Sequence, residues 1–154
     1  MALLGRISLK GRALRLLSGR EYSRAELERK LAPYALLEEE PDQLRRVLDD
    51  LQAKGFISDQ RYVDSVVHRR ASKLGAARIK HELQGKGVDS GLVVEAMARL
   101  KTTEVARARE VWERKFGALP QSAAERGRQM RFLASRGFGG ETIHRVMAGA
   151  SEPD

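Results

Sequence analysis

Apolar residues recur along this chain at the spacing of one helix face, in segment after segment. The clearest stripe is Leu44, Val47, Leu48 and Leu51, which follows the i, i+3, i+4, i+7 pattern of an amphipathic helix. Comparable stripes cover residues 7–147, and no segment alternates apolar and polar residues as a half-buried strand would. The pattern therefore predicts nine helices and no strand.

Polar residues, prolines and glycines mark where these helices begin and end. Ser23 and Ser122 each precede a glutamate by three residues, which is the capping-box spacing of a helix start. Pro33 is expected to end the helix that starts after Ser23, because proline lacks the N–H that a helix interior needs. Another predicted helix carries apolar residues as far as Leu74, and Gly75 is expected to lie just beyond its end.

One short motif occurs three times, as LQAKGF at 51–56, LQGKGV at 83–88 and LASRGF at 133–138. Counted back from the glycine, the leucine falls at the third-from-last helical position, and an apolar residue follows the glycine. This is the spacing of a Schellman cap, in which the glycine adopts a left-handed backbone at little cost. Each copy is therefore predicted to end a helix.

Two of the three copies also mark a repeat. Leu83 and Leu133 are 50 residues apart, and Leu31 lies 52 residues before Leu83 in a similar position. The copy at 51–56 instead ends the third helix of the first unit. It uses the same type of cap but is not the repeat equivalent of the other two copies. A unit of this size buries only a marginal core, and stacking of units supplies the missing burial.

We therefore expect an all-α fold of three tandem three-helix repeats that form an elongated, curved body. A compact nine-helix bundle is the alternative. The predicted boundaries are 8–56, 57–100 and 101–149 for the repeats, and 150–154 for a disordered tail.

Composition narrows the classes of protein that this chain can belong to. Its 154 residues contain no cysteine, which excludes a disulfide scaffold and thiolate metal sites and fits a reducing cytoplasm. The longest stretch without a charged side chain, residues 116–124, is far too short to cross a bilayer, so no membrane is expected. The net charge of +8 instead indicates a polyanionic partner.

Motifs that would indicate catalysis are missing from the sequence. Gly85 and Lys86 are followed by Gly87 rather than by serine or threonine, so no Walker A loop is present. The three histidines lack metal-ligand spacing, and Asp49 and Asp50 point about 100° apart on a helix. We expect no catalytic residue, no cofactor and no metal.

The stretch RRASKLGAARIK, residues 69–80, is the most suggestive for binding. Cations gathered around a helix junction can hold phosphates or carboxylates. A solvated face with cations near a helix C-terminus is the alternative interpretation. The candidate partner-binding residues are Arg69, Arg70, Lys73, Arg78 and Lys80, followed by Lys86, Arg131 and Arg136.

Several blocks of this sequence resemble the RecX family, bacterial regulators of the RecA recombinase. The blocks are LLSGREYSRAELERKL at 16–31, VLDDLQAKGFISDQRYV at 47–63, GAARIKHELQGKGV at 75–88 and RFLASRGFGGETIHRVM at 131–147. The resemblance covers nearly the whole length and depends on the order and spacing of the blocks. It departs from the family at Gly75-Ala76, where glycine-proline is frequent.

The resemblance implies a cytoplasmic, non-enzymatic modulator that lies in the groove of the RecA–DNA filament. Such proteins commonly inhibit filament growth, ATP hydrolysis and strand exchange, and so act in recombination, DNA repair and the SOS response. We expect the RecA filament as partner, weak direct contact with DNA, and a monomer. The alternatives are a nucleic-acid-binding protein with helix-turn-helix-like units that act independently of RecA, and an adaptor for an unrelated acidic protein.

Overall fold

The computed structural model describes residues 7–37, 40 and 42–150, and within them it contains nine α-helices and no strand. The predicted all-α fold is confirmed. Beyond Ala150, the predicted tail lies outside the described residues. The helices are α1 Leu9–Gly19, α2 Arg24–Ala35, α3 Gln43–Ala53, α4 Asp59–Arg70, α5 Ala76–Gly85, α6 Ser90–Lys101, α7 Glu104–Lys115, α8 Ala123–Ser135 and α9 Gly140–Ala150.

The helices enclose three separate hydrophobic cores, which we call the first, second and third core. Helices α1–α3 surround the first, α4–α6 the second and α7–α9 the third. The most extensive helix–helix packing in the described residues falls within these groups. Leu31, Leu83 and Leu133, which the sequence alignment equates, are each buried in a different core. The repeat architecture is confirmed, whereas the elongated, curved outline and the unit boundaries at 8–56, 57–100 and 101–149 stay predictions.

The three predicted Schellman caps are all present. Their glycines have left-handed backbones, with φ of +82° at Gly55, +71° at Gly87 and +94° at Gly137. In each cap the residue after the glycine donates its N–H to the carbonyl of the motif's leucine, as the motif requires. These bonds are Phe56 to Leu51 at 2.9 Å, Val88 to Leu83 at 3.2 Å and Phe138 to Leu133 at 3.2 Å.

The prediction that Pro33 ends its helix is wrong, since α2 continues to Ala35 with Pro33 inside it. Proline lacks its own N–H donor and crowds the carbonyl four residues before it, but the residues that follow it keep their N–H donors and can still close a helical turn. The N–H of Leu36 still donates to the Ala32 carbonyl at 3.3 Å, so the last turn closes around the proline.

The predicted extension of a helix to Leu74 is also wrong, since α4 ends at Arg70 and Leu74 lies in the following turn. The Arg107 guanidinium donates to the carbonyls of Ala71 and Leu74 at 2.9 and 2.8 Å. A side chain from α7 therefore satisfies backbone groups that a longer helix would have satisfied. Gly75, which follows, has an ordinary φ of −79° and is the N-cap residue of α5.

The first and second cores meet where the start of α2 lies on the end of α5. The Ser23 hydroxyl donates to the Lys86 carbonyl at 2.6 Å. Ala25 lies against the cap glycine, because a Cβ added to Gly87 would be 2.6 Å from the Ala25 Cβ.

The capping box predicted at Ser23 is only half formed. The Ser23 hydroxyl accepts a hydrogen bond from the Glu26 N–H at 3.1 Å, but the Glu26 carboxylate binds Arg20 and Lys86 instead of the Ser23 N–H.

The second and third cores meet in a corresponding way, with the start of α5 on the end of α8. The N–H of Gly75 donates to the Arg136 carbonyl at 2.8 Å, and the N–H of Ala77 donates to the Gly137 carbonyl at 3.3 Å. The Arg78 guanidinium donates to the Ser135 carbonyl at 2.7 Å. Each junction therefore places the N-terminus of one core's second helix on the glycine cap of the next core's second helix.

Carboxylates reinforce both junctions. Asp59, the first residue of α4, accepts the backbone N–H of Arg24 at the start of α2, at 2.9 Å. Glu104, the first residue of α7, accepts the backbone N–H of Ala76 at the start of α5, at 2.8 Å. Each acid satisfies an N–H that would otherwise lack a helical partner, and it does so from the next core.

Candidate polyanion-binding site

A shallow groove rich in positive charge lies between α7 and α8, beside the turn that follows α4. We call it the third-core groove. It has a volume of about 300 Å³ and is lined by Lys73, Val111, Arg114, Lys115, Phe132 and Arg136. None of its four cations forms an ion pair with a described residue. Four unmatched cations around one concavity produce a positive potential that attracts phosphates or carboxylates.

The aromatic ring of Phe132 lines the third-core groove. The guanidinium carbon of Arg136 lies 4.5 Å from the centre of the Phe132 ring, and the Lys115 Nζ lies 5.4 Å from it. Phe116 meets the same ring edge-on at 5.4 Å, which fixes its orientation. Arg136 and Lys115 are therefore positioned by cation–π contact, which leaves their charge available to a ligand.

The groove is joined to the second core by Arg114, whose guanidinium donates to the Ser72 carbonyl at 2.6 Å. Ser72 belongs to the same turn as Lys73, so this bond holds Lys73 beside the cations of α7 and α8. The groove is thus assembled from three segments that are distant in sequence.

A second basic groove lies between α1 and α2, and we call it the first-core groove. It has a volume of about 250 Å³ and is lined by Arg12, Arg15, Leu16, Lys30, Leu31 and Tyr34. The guanidinium carbon of Arg12 lies 3.8 Å from the centre of the Tyr34 ring. Both grooves are lined by several cations and an aromatic residue, at least one of the cations contacts that aromatic ring, and neither described lining contains an acidic residue.

The eight binding residues predicted from the sequence fall into three groups in the structure. Lys73 and Arg136 line the third-core groove, whereas Arg69, Lys80 and Arg131 are exposed outside both grooves. The other three are engaged within the chain: Arg70 pairs with Glu82 at 3.3 Å, Lys86 pairs with Glu26 at 3.3 Å, and Arg78 binds the Ser135 carbonyl.

Sequence reasoning missed Arg114, Lys115 and the whole first-core groove. It favoured residues 69–80 because cations are dense there along the chain. A high density of cations along the sequence does not predict a groove whose cations come from separate helices. A cation one helical turn from an aromatic residue, as Arg136 is from Phe132, was the signal available.

Tyr62 and Glu26, whose pKa values are shifted, lie in the second core and at its junction with the first, respectively. Burial raises the pKa of Glu26, but the hydrogen bond and charge of Arg20, followed by those of Lys86, outweigh it and leave the pKa lowered. Burial, with the nearby charges of Glu26 and Glu82, raises the pKa of Tyr62 to about 12. Because these groups are engaged in packing and ion pairing, they do not indicate a reactive centre.

Two further observations concern the described part of the chain. It contains no cluster of three or more histidine, aspartate or glutamate side chains that could hold a metal ion. None of its helices has both the length and the apolar character needed to span a membrane.

Comparisons with known proteins agree with this architecture. Residues 58–97 match a family model described as "RecX, second three-helix domain", and residues 102–147 match "RecX, third three-helix domain". The matched segments correspond to the second and third cores.

Full-length relatives and a solved structure extend the comparison. The chain is 54% identical over 141 residues to Regulatory protein RecX of Leptothrix cholodnii, covering 92% of this chain and 88% of the relative. It is 46% identical to Regulatory protein RecX of Ralstonia nicotianae, covering 94% and 89%. The crystal structure of RecX from Lactobacillus salivarius shares the fold, with a TM-score of 0.77 at 20% identity, covering 92% and 94%. The chain therefore belongs to the RecX family of regulatory proteins.

Proposed function

We propose that this protein binds the RecA–DNA filament and inhibits the ATPase, recombinase and strand-exchange activities of RecA. The observation that carries the proposal is the third-core groove, which four cations and Phe132 line without an acidic partner in the described lining. Membership of a family of regulatory proteins supports action by binding rather than by catalysis. The filament forms in the cytoplasm, so the proposed function places this protein there.

The grooves suit a partner that carries negative charge along its length. Arginine binds a phosphate or a carboxylate through two parallel hydrogen bonds, and lysine adds a point charge. The two grooves belong to different cores, so a filament with repeated subunits could engage both of them. Weak contacts then reinforce each other through effective concentration.

Inhibition follows from linkage between binding and the state of the filament. A protein that binds one filament state more tightly shifts the population towards that state, in proportion to the difference in affinity. If this protein prefers an inactive arrangement or a filament end, hydrolysis and growth fall as its concentration rises. Of the predicted contacts, Lys73 and Arg136 form the centre of the proposed surface, together with Lys115. Arg69, Lys80 and Arg131 remain proposed as outer contacts.

Charge reversal in the third-core groove tests the proposal. The double variant Lys73→Glu/Lys115→Glu should weaken binding to RecA filaments on single-stranded DNA by about tenfold or more, since hydrogen bonds to charged groups contribute about 1.5–3 kcal/mol each. The control Arg45→Glu/Arg145→Glu reverses two exposed cations on α3 and α9 that form only short-range ion pairs. Both variants lower the net charge from +8 to +4, because each substitution removes two units. Equal binding by the two folded variants would refute the assignment of the groove.

The same assay separates RecA-dependent binding from binding to nucleic acid alone. If the affinity for bare DNA equals that for the filament and falls steeply with salt, the protein acts as an independent nucleic-acid binder. We expect the filament to be preferred, with a smaller and salt-sensitive affinity for bare DNA.

A further inference from the structure

The three Schellman caps differ in what covers them. The cap at Gly87 lies against Ala25, and the cap at Gly137 lies against Arg78, so α2 and α5 cover them. A Cβ added to Gly55 would instead meet no atom within 4 Å. Lys54 and Gly55 are exposed, and 48% of the surface of Phe56 is exposed. No described residue therefore covers the Gly55 cap.

The sequence that covers the Gly87 cap occurs a second time. Helix α2 begins with SRAE at 23–26, and α8 begins with SAAE at 122–125. In α2 this segment makes three contacts with the cap that it covers. The Ser23 hydroxyl binds the Lys86 carbonyl at 2.6 Å, Ala25 lies against Gly87, and the Glu26 carboxylate pairs with Lys86 at 3.3 Å.

The copy in α8 has the same serine cap but lies on no glycine cap of the described residues, and one oxygen of its Glu125 carboxylate accepts the Gln121 N–H at 2.6 Å. Ser122 accepts the Glu125 N–H at 3.1 Å, as Ser23 accepts that of Glu26. Ser122 and Ala124 are exposed, and neighbouring Leu119 is 45% exposed beside a hollow of about 380 Å³. Within the described residues there is thus one uncovered cap, and one copy of the covering segment that lies on no cap.

We propose that the start of α8 in one copy of this protein docks on the Gly55 cap of a second copy. The contact would repeat, between molecules, the one that α2 makes with the Gly87 cap. Ala124 would lie on Gly55, and the Ser122 hydroxyl would bind the Lys54 carbonyl. The Glu125 carboxylate would pair with the Lys54 ammonium, in place of the exposed pair that Lys54 forms with Asp50 at 3.1 Å.

Two apolar side chains gain burial in the docked pair. Phe56 follows Gly55 in the cap, and Leu119 flanks the start of α8, so the contact brings both out of water. These are two of the few large hydrophobic side chains that are exposed in the described residues.

The two docking surfaces are different, so the contact propagates from copy to copy unless two copies dock reciprocally and close a two-fold dimer. The Gly55 cap follows the third helix of its core, whereas the covered caps follow second helices. An added copy therefore does not continue the arrangement by which the three cores of one chain contact each other. One loop against one helix start is a small interface, so the association is weak, and a monomer predominates at low concentration.

Sedimentation velocity over a series from micromolar to millimolar protein tests the proposal. The weight-average mass of the wild type should rise with concentration. Ala124→Arg should abolish the rise, because a large side chain cannot lie on a glycine cap. The matched control Ala123→Arg should retain it, since the equivalent position in α2 is already Arg24. Both alanines are exposed, so neither change disturbs the fold.

A charge-reversal mixture tests the pairing itself. Lys54→Glu and Glu125→Lys should each remain monomeric alone, and an equimolar mixture should associate, because each variant retains the surface that the other has lost. A wild-type mass that stays constant up to the highest concentration would overturn the proposal. Association that persists in Ala124→Arg, or failure of the mixture to associate, would also overturn it.

Discussion

Gly75 and Gly137 lie in direct backbone contact where the second and third cores meet. A Cβ added to Gly75 would be 2.3 Å from the Gly137 carbonyl oxygen, which is closer than a Cβ approaches a non-bonded heavy atom. The same approach allows the N–H of Gly75 to donate to the Arg136 carbonyl at 2.8 Å. Glycine is therefore required at position 75 for proximity, although its φ of −79° is open to any residue.

Gly75→Ala should destabilise the protein by about 1–3 kcal/mol, because the methyl group forces the two backbones apart. Gly85→Ala is the matched control. A Cβ there would meet nothing within 4 Å, and alanine favours a helix over glycine by about 0.5–1 kcal/mol. Urea unfolding followed by the fluorescence of Trp112, the single tryptophan, measures both variants. Equal midpoints would contradict the packing described at this junction.

Ser23→Ala should cost more stability than Ser122→Ala. Both serines cap a helix, and loss of such a cap costs about 1 kcal/mol. Ser23 is fully buried and also donates to the Lys86 carbonyl, which would lose its partner at a further cost of about 1 kcal/mol or more. Thermal unfolding at low protein concentration gives the difference between the two variants. No difference would show that this inter-core bond contributes nothing.

The stability contributed by Glu26 should depend on pH in the acid range. Its pKa is lowered from the ordinary value of 4.5, because Arg20 and Lys86 outweigh the opposing effect of burial. A carboxylate with a lowered pKa in the folded state stabilises the protein above the ordinary value, and that stability is lost as the pH falls through the folded-state pKa.

Glu26→Gln should therefore lower stability at neutral pH by about 1–2 kcal/mol, the scale of a charge-assisted hydrogen bond to partly exposed partners. The difference in free energy of unfolding between Glu26→Gln and the wild type should shrink as the pH falls below about 4.5. The control Glu28→Gln changes an exposed carboxylate on the same helix and should show no such trend. A wild-type–variant difference that is constant across the acid range would contradict the ion-pair description.

Local features of the fold were predictable from the sequence. A Schellman cap is set by a few adjacent residues, so the left-handed glycines at 55, 87 and 137 could be predicted from spacing alone. The correspondence of Leu31, Leu83 and Leu133 likewise follows from their regular spacing of about 50 residues. Each of the three is buried in a separate core.

Features that depend on tertiary contacts were not predictable in this way. Gly75 was expected to follow a helix end, but its role depends on Gly137, which is 62 residues away. Arg78 and Lys86 are cations of the kind that form a binding surface, yet each is bound by a residue of a neighbouring core. The Ser135 carbonyl accepts a hydrogen bond from Arg78, and Glu26 forms an ion pair with Lys86. The third-core groove escaped prediction for the same reason, since it exists only once α7, α8 and the turn after α4 are brought together.

The most direct test of the proposed function is a titration of the purified protein into RecA assembled on single-stranded DNA with ATP. Hydrolysis and filament length are followed together as the concentration rises. Hydrolysis should fall and filaments should shorten with the wild type, and Lys73→Glu/Lys115→Glu should require a concentration about tenfold higher for the same effect. Hydrolysis and length that stay constant at saturating wild-type protein would contradict the account.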